Sequence, residues 1–161
     1  MKINIKAEGV KQLKQRLNTQ AQNLLNLQPL WQLVGMYVQK QTIKERFDKE
    51  QAPDGTKWKP LSPARVKQRM KRHKTGNMKI LQDVGELRRS VQHEAGQNYV
   101  RIGSNLKYAR IHQFGGTIHF TKRKGSVTIP ARPYLGVTHN ERQYINNLLR
   151  AYLKRHVFAG G

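Results

Sequence analysis

The chain has 161 residues, enough for one domain that buries roughly 68–70% of its unfolded surface. It carries 31 Lys and Arg against 9 Asp and Glu, a formal balance of +22, which disfavours compactness and calls for an anionic partner such as nucleic acid, an acidic protein surface or an anionic membrane. The absence of cysteine excludes disulfides and thiolate metal sites; with no apolar run near the roughly 20 residues that span a bilayer and no leader-like apolar core in the first residues, the sequence predicts a soluble intracellular product.

Lys2-Ile3-Asn4-Ile5-Lys6 alternates and reads as an opening strand. Val10, Leu13, Leu17, Ala21, Leu24 and Leu25 recur at helical spacing, so a first amphipathic helix is expected from about Gly9 to Asn26. Pro29 suits the first turn of a second helix. Leu30, Leu33, Val34, Tyr37, Val38 and Gln41 form its stripe, and it should run to about Lys49 with Phe47 near its end. Pro53-Asp54-Gly55 centres a turn-rich stop from Gln51 to Trp58.

A strongly basic arm comes next. Between Asp54 and Asp83 there is no acid, while Lys57, Lys59, Arg65, Lys67, Arg69, Lys71, Arg72, Lys74 and Lys79 all fall in that interval. Pro63 to Arg72 reads as a short helix capped by Ser62, with Val66 and Met70 as its apolar face. Two readings stand for the arm. It is either a solvated, mobile segment at about 56–80, or a surface for DNA phosphates or an acidic neighbour. Aromatic residues are missing from 59–79, so base stacking is not expected and any nucleic-acid contact would be non-specific and salt-sensitive.

The middle mixes short elements. Gly85 to Val91 reads as a short helix bearing Leu87, and 90–94 and 99–102 as strands joined by Ala95-Gly96-Gln97-Asn98. Tyr108, Ile111 and His112 sit three and four apart, which predicts a helix over 107–114. Gly115-Gly116 can take positive φ cheaply. Thr117 to Thr121 alternates with Ile118 and Phe120 on one face, as a half-buried strand should; Lys122 to Gly125 turns; Ser126 to Ile129 returns. Pro130 and Pro133 stiffen the segment between them and aim Arg132 in a set direction, predicting a buried hydrogen bond or ion pair for it. Thr138-His139-Asn140-Glu141 fits a capping box, and Tyr144, Ile145, Leu148, Leu149, Tyr152 and Leu153 make a final helical stripe.

The pattern is α+β: a small antiparallel sheet packed against two long N-terminal helices and a C-terminal helix. Catalytic signals are thin. Six histidines occur at 73, 93, 112, 119, 139 and 156, none paired at i, i+4. There is no nucleophile elbow, Walker loop or Rossmann glycine set. Asp48, Glu50 and Asp54 lie close in sequence, as a magnesium-dependent nuclease would want, yet a helix stop explains them more simply. No metal and no cofactor are expected. His112 reads as a hydrogen-bonder that fixes the Gln113-Phe114-Gly115-Gly116 turn.

Four segments in series carry more information than any one of them. They are Phe47 with Pro53-Asp54-Gly55, Trp58 and Pro60-Leu61-Ser62; Ile80-Leu81 through Gly85, Leu87, Arg88 and Ser90; Val100, Ile102, Gly103, Ser104 and Asn105; and Tyr108 to Gly136, with Tyr-Ala-x-x-His-Gln-Phe-Gly-Gly at one end and Ile-Pro-Ala-Arg-Pro-Tyr-Leu-Gly at the other. Together they resemble the phage virion morphogenesis family, the tail-completion proteins of Mu-like and P2-like tailed phages and prophages. The resemblance implies one virion morphogenesis domain over 1–161 and a structural protein rather than an enzyme. It implies tail completion or head–tail joining through contacts with other phage tail or neck proteins, in a homo-oligomer. No membrane partner and no small-molecule substrate are expected. The product would be a virion component, assembled in the bacterial host cytoplasm. The signature positions are Trp58, Gly85, Leu87, Arg88, Tyr108, His112, Gln113, Phe114, Gly115, Arg132 and Pro133. The alternative is a non-specific nucleic-acid-binding protein acting through the basic arm.

Overall fold

The computed structural model describes residues 10–72, 78–121 and 124–155. The expected strand at 2–6, Lys74, Lys122 and Arg123 lie outside them. The elements in order are α1 Val10–Leu25, α2 Gln28–Gln41, a π-helical continuation Thr42–Asp48, α3 Pro63–Arg72, α4 Glu86–Arg89, β1 Gln92–Ala95, β2 Val100–Gly103, α5 Ala109–Phe114, β3 Gly116–His119, β4 Ser126–Ile129 and α6 His139–Leu153. The fold is α+β. Among the described residues the expected single sheet is two separate antiparallel hairpins, β1–β2 and β3–β4.

α2 organises the first hairpin. Pro29 sits in its first turn, and Leu30, Val34 and Val38 recur every fourth residue and are buried. They pack with Val100 and Ile102 of β2 and with Ile145, Leu148, Leu149 and Tyr152 of α6. Gly35 lets β1 come close: a Cβ there would stand 2.4 Å from the His93 ring. Gln39 then ties helix to hairpin, donating from Nε2 to the Val91 carbonyl at 2.8 Å and meeting His93 Nδ1 at 2.5 Å. Tyr37 stacks on Tyr144 of α6 with ring centroids 4.1 Å apart. α6 opens with the expected capping box: Thr138 Oγ1 accepts from the Glu141 amide at 3.1 Å, and the Glu141 carboxylate accepts from the Thr138 amide at 2.7 Å.

The second helix does reach the neighbourhood of Lys49, but as π turns beyond Gln41. The wider turns bring Arg46 and Phe47, adjacent in sequence, into the interior together. Phe47 centres a second core with Trp58, Leu87, Val91, Ala109 and Tyr134. Its ring meets Trp58 edge-on at 5.7 Å and Tyr134 at 5.5 Å. Ile102 touches both cores and so links them.

Three expectations from periodicity need correcting. Leu17 of the first helix is half exposed. On α3 it is Arg69, 3% exposed, that faces inward, while Met70 is 62% exposed; an ion-pair partner outcompetes a single flexible thioether for the buried position. The β3–β4 hairpin is not half-buried: every β3 residue is exposed, as are Ser126, Val127 and Thr128 of β4. β3 and β4 pack chiefly on each other, so no core face receives Ile118.

Candidate docking site

Most of the signature converges on one internal clamp beneath the β3–β4 hairpin. Arg132 is its centre. Its amide donates to the His112 carbonyl at 2.8 Å. Its Nε donates to the Lys59 carbonyl at 2.8 Å and its Nη2 to the Pro60 carbonyl at 2.9 Å. The side chain is 6% exposed, in keeping with its setting between two prolines, and its partners lie within the subunit. Trp58 adds a second tie, donating from Nε1 to the Pro133 carbonyl at 2.8 Å.

Gln113 supplies the third tie. Its Oε1 accepts from the amides of Tyr134 and Leu135, each at 3.0 Å, and its Nε2 donates to the Leu135 carbonyl at 3.0 Å. Gln113 thus joins the end of α5 to the 134–135 segment. His112 contributes its backbone carbonyl, while its buried Nδ1 finds no hydrogen-bond partner among the described residues. Burial, then the Arg132 and Arg65 charges, push the His112 pKa down from 6.5, favouring the neutral ring. Tyr108 packs edge-on against this ring at 5.8 Å and donates to Glu86 at 2.5 Å. Burial first, and Glu86 second, push the Tyr108 phenol up to about 12.

The clamp gives a measurable expectation. Arg132→Met leaves two carbonyls without their charged donor, so a loss of about 2–3 kcal/mol is expected in denaturant unfolding. Arg132→Lys should recover only part, because an ammonium cannot reproduce the two-pronged geometry.

The other signature residues are also structural. Leu87 is 3% exposed in the second core. Gly85, at φ 73°, caps α4. Arg88 bridges Asp48 at 2.9 Å and the Gln82 side chain at 3.1 Å, while Gln82 Nε2 donates to the Phe47 carbonyl at 2.6 Å. Glu50, itself at φ 54°, accepts the Ile80 amide at 2.5 Å. Asp54 accepts the Thr56 amide at 2.9 Å, and its hydrogen bonds to Thr56 hold its carboxyl below 3.8. The acids at 48, 50 and 54 thus serve three different partners. Among the described residues no group of three His, Cys, Asp or Glu is placed to hold a metal. Arg46 and Gln82 carry no signal in the sequence, since nothing local marks a surface-type residue that will be buried.

One part of the signature does reach solvent. Gly115 ends α5 at φ 73°, and a Cβ on it would lie 2.8 Å from the Ala131 amide nitrogen. Backbone contact this close requires glycine and sets the angle at which the hairpin leaves the clamp. Phe114, just before it, is 72% exposed; it is no core residue. Ile118 and Val127 face each other in the hairpin register and are 42% and 40% exposed. Phe114 at the end of α5 and this pair in the hairpin are therefore exposed apolar side chains on the solvent side of the clamp.

The basic arm is not a loose loop over 63–72. Asp83 takes Arg65 at 3.1 Å, Arg69 at 3.5 Å and Arg72 at 3.5 Å. Arg69 also donates to the Lys79 carbonyl at 2.7 Å. As a buried internal tie it is withdrawn from the expected phosphate contacts. Lys57 donates to the Lys49 carbonyl at 2.6 Å. Lys59, Lys67 and Lys71 are exposed.

No helix among the described residues is long and apolar enough to cross a membrane. No solved structure matches the chain. Among curated proteins, it is 36% identical over 110 residues to protein G of Escherichia phage Mu, named for capsid assembly, covering 68% of this chain and 69% of that one. It is 31% identical over 123 residues to tail completion protein S of Escherichia phage P2, covering 72% and 77%. It is 34% identical over 100 residues to Mu-like prophage FluMu G protein 1 of Haemophilus influenzae, covering 62% of each. The model of the phage virion morphogenesis family matches residues 8–154, the span that holds both cores, the Arg132 clamp and the hairpin: the chain belongs to that family.

Proposed function

We propose that the protein is a structural component of a phage or prophage particle, one that completes the tail and joins it to the head through protein–protein contacts in an oligomer. The observation that carries this is the exposed hairpin. A two-stranded ribbon is marginal in water by itself. Among the described residues this one offers two open edges and an exposed apolar pair, leaves α5 just after the exposed Phe114, and starts from the close Gly115–Ala131 backbone approach. Such an edge invites a neighbour's strand. The family membership and the tail-completion name of the P2 relative support the same reading. The Mu relative's name supports a capsid role instead, and particle morphology separates the two.

The triple variant Phe114→Ser, Ile118→Ser, Val127→Ser tests the reading. All three side chains are exposed, so the monomer's stability should move by no more than about 1.5 kcal/mol. Assembly should fail: sedimentation should show loss of the oligomer. A phage lacking its own copy, supplied with the variant, should accumulate separate heads and tails. Wild-type particle yields with the variant would refute the docking role, and missing capsids would favour the capsid role.

A further inference from the structure

We propose that the outer face of α3 contacts the phosphate backbone of duplex nucleic acid, with Lys67 and Lys71 as the contacting residues. Three observations carry this. First, α3 is built as a platform. Its inward residue, Arg69, is 3% exposed and bound to Asp83 and the Lys79 carbonyl. Arg65 and Arg72 flank it, sharing the same carboxylate while staying 44% and 62% exposed. At 100° per residue, Lys67 and Lys71 each lie about 160° from Arg69, one turn apart on the opposite side. Both are exposed.

Second, the patch is electrostatically one-sided. α3 holds five bases and no acid, and one carboxylate, Asp83, bridges three of them. The remaining positive potential faces outward from an ordered helix.

Third, its chemistry discriminates between polyanions. Protein interfaces deplete lysine and centre on aromatic or apolar anchors. Here the helix's exposed face has only Met70 as a large apolar side chain. Single-strand binders need aromatic platforms, and residues 59–79 contain no aromatic. Lysines without apolar anchors or stacking rings fit backbone phosphate, which fixes position without reading sequence.

The test is binding of the full chain to a short DNA duplex of arbitrary sequence, followed by fluorescence anisotropy from about 50 to 200 mM salt. Lys67→Gln with Lys71→Gln should weaken binding and make the log–log salt slope shallower by about 1.8, since each neutralised phosphate adds about 0.9 to it. Circular dichroism should show the same helix content as wild type. Lys11→Gln with Lys14→Gln, exposed on α1, removes the same charge and should leave most of the slope. Equal losses from both pairs would mark diffuse attraction by net charge and overturn the assignment. So would an unchanged slope in the α3 pair, or polyglutamate binding as tightly as the duplex.

Discussion

Glu141→Gln is expected to destabilise the protein by about 3–5 kcal/mol, because it strips the counter-charge from a buried arginine. Arg46 is 2% exposed, and Glu141 receives it at 2.5 and 2.7 Å through two guanidinium nitrogens. The same carboxylate closes the capping box of α6 by accepting the Thr138 amide. A glutamine can still accept the Thr138 amide, so the loss comes from the desolvated cation that the substitution leaves. Thermal melting should fall by roughly 6–20 °C. Replacing both partners, Arg46→Met with Glu141→Gln, should cost much less, since no buried charge is then orphaned and the glutamine oxygen can still accept the Thr138 amide.

The same pair sets an acid dependence. Burial alone raises the Glu141 pKa, but the Arg46 and Thr138 hydrogen bonds and the Arg46 charge outweigh it and bring it below 4.5. A depressed carboxyl contributes stability that is complete above the unfolded value and is lost as pH falls through the folded value. The gap between wild type and Glu141→Gln should therefore be full at neutral pH and close on the acid side of 4.5. A gap that stayed constant down to strong acid would show that Glu141 acts through shape and not charge.

Trp58→Ala should cost a comparable amount, about 3–5 kcal/mol. Its indole is 5% exposed and meets Phe47 edge-on. Its Nε1 holds the Pro133 carbonyl, one residue from Arg132. Trp58→Phe keeps most of the ring contact and loses the tie, so about 1–2 kcal/mol is expected for it. Amide exchange sharpens the distinction. The alanine variant should raise exchange in both the second core and the 130–136 segment, while the phenylalanine variant should raise it mainly in the segment. Uniform exchange across the chain in both variants would show that Trp58 serves only as core volume.

The sequence by itself determined what is local. Helix stripes at 30–38 and 145–153, the Pro29 start, the Ser62 and Thr138 caps and the alternating runs around Gly115-Gly116 placed nearly every described element. Each depends on φ preferences and hydrogen bonds within a few residues. The serial motif from Phe47 to Gly136 carried the family in the same way.

Only the tertiary structure decided which of these residues meet. Arg132 finds the carbonyls of Lys59 and Pro60, 73 and 72 positions away. Arg69 turns inward past Met70 because Asp83, far along the chain, is there to receive it. Gln113 meets Tyr134 and Leu135, 21 and 22 positions away, since one side-chain amide can accept and donate there at once. Of the two hairpins only the first packs on α2, while Phe114, Ile118 and Val127 stay in solvent. Periodicity reports the direction of a side chain relative to its own backbone. Whether that direction ends in a core or at the surface depends on which other elements pack there, a property of the whole chain.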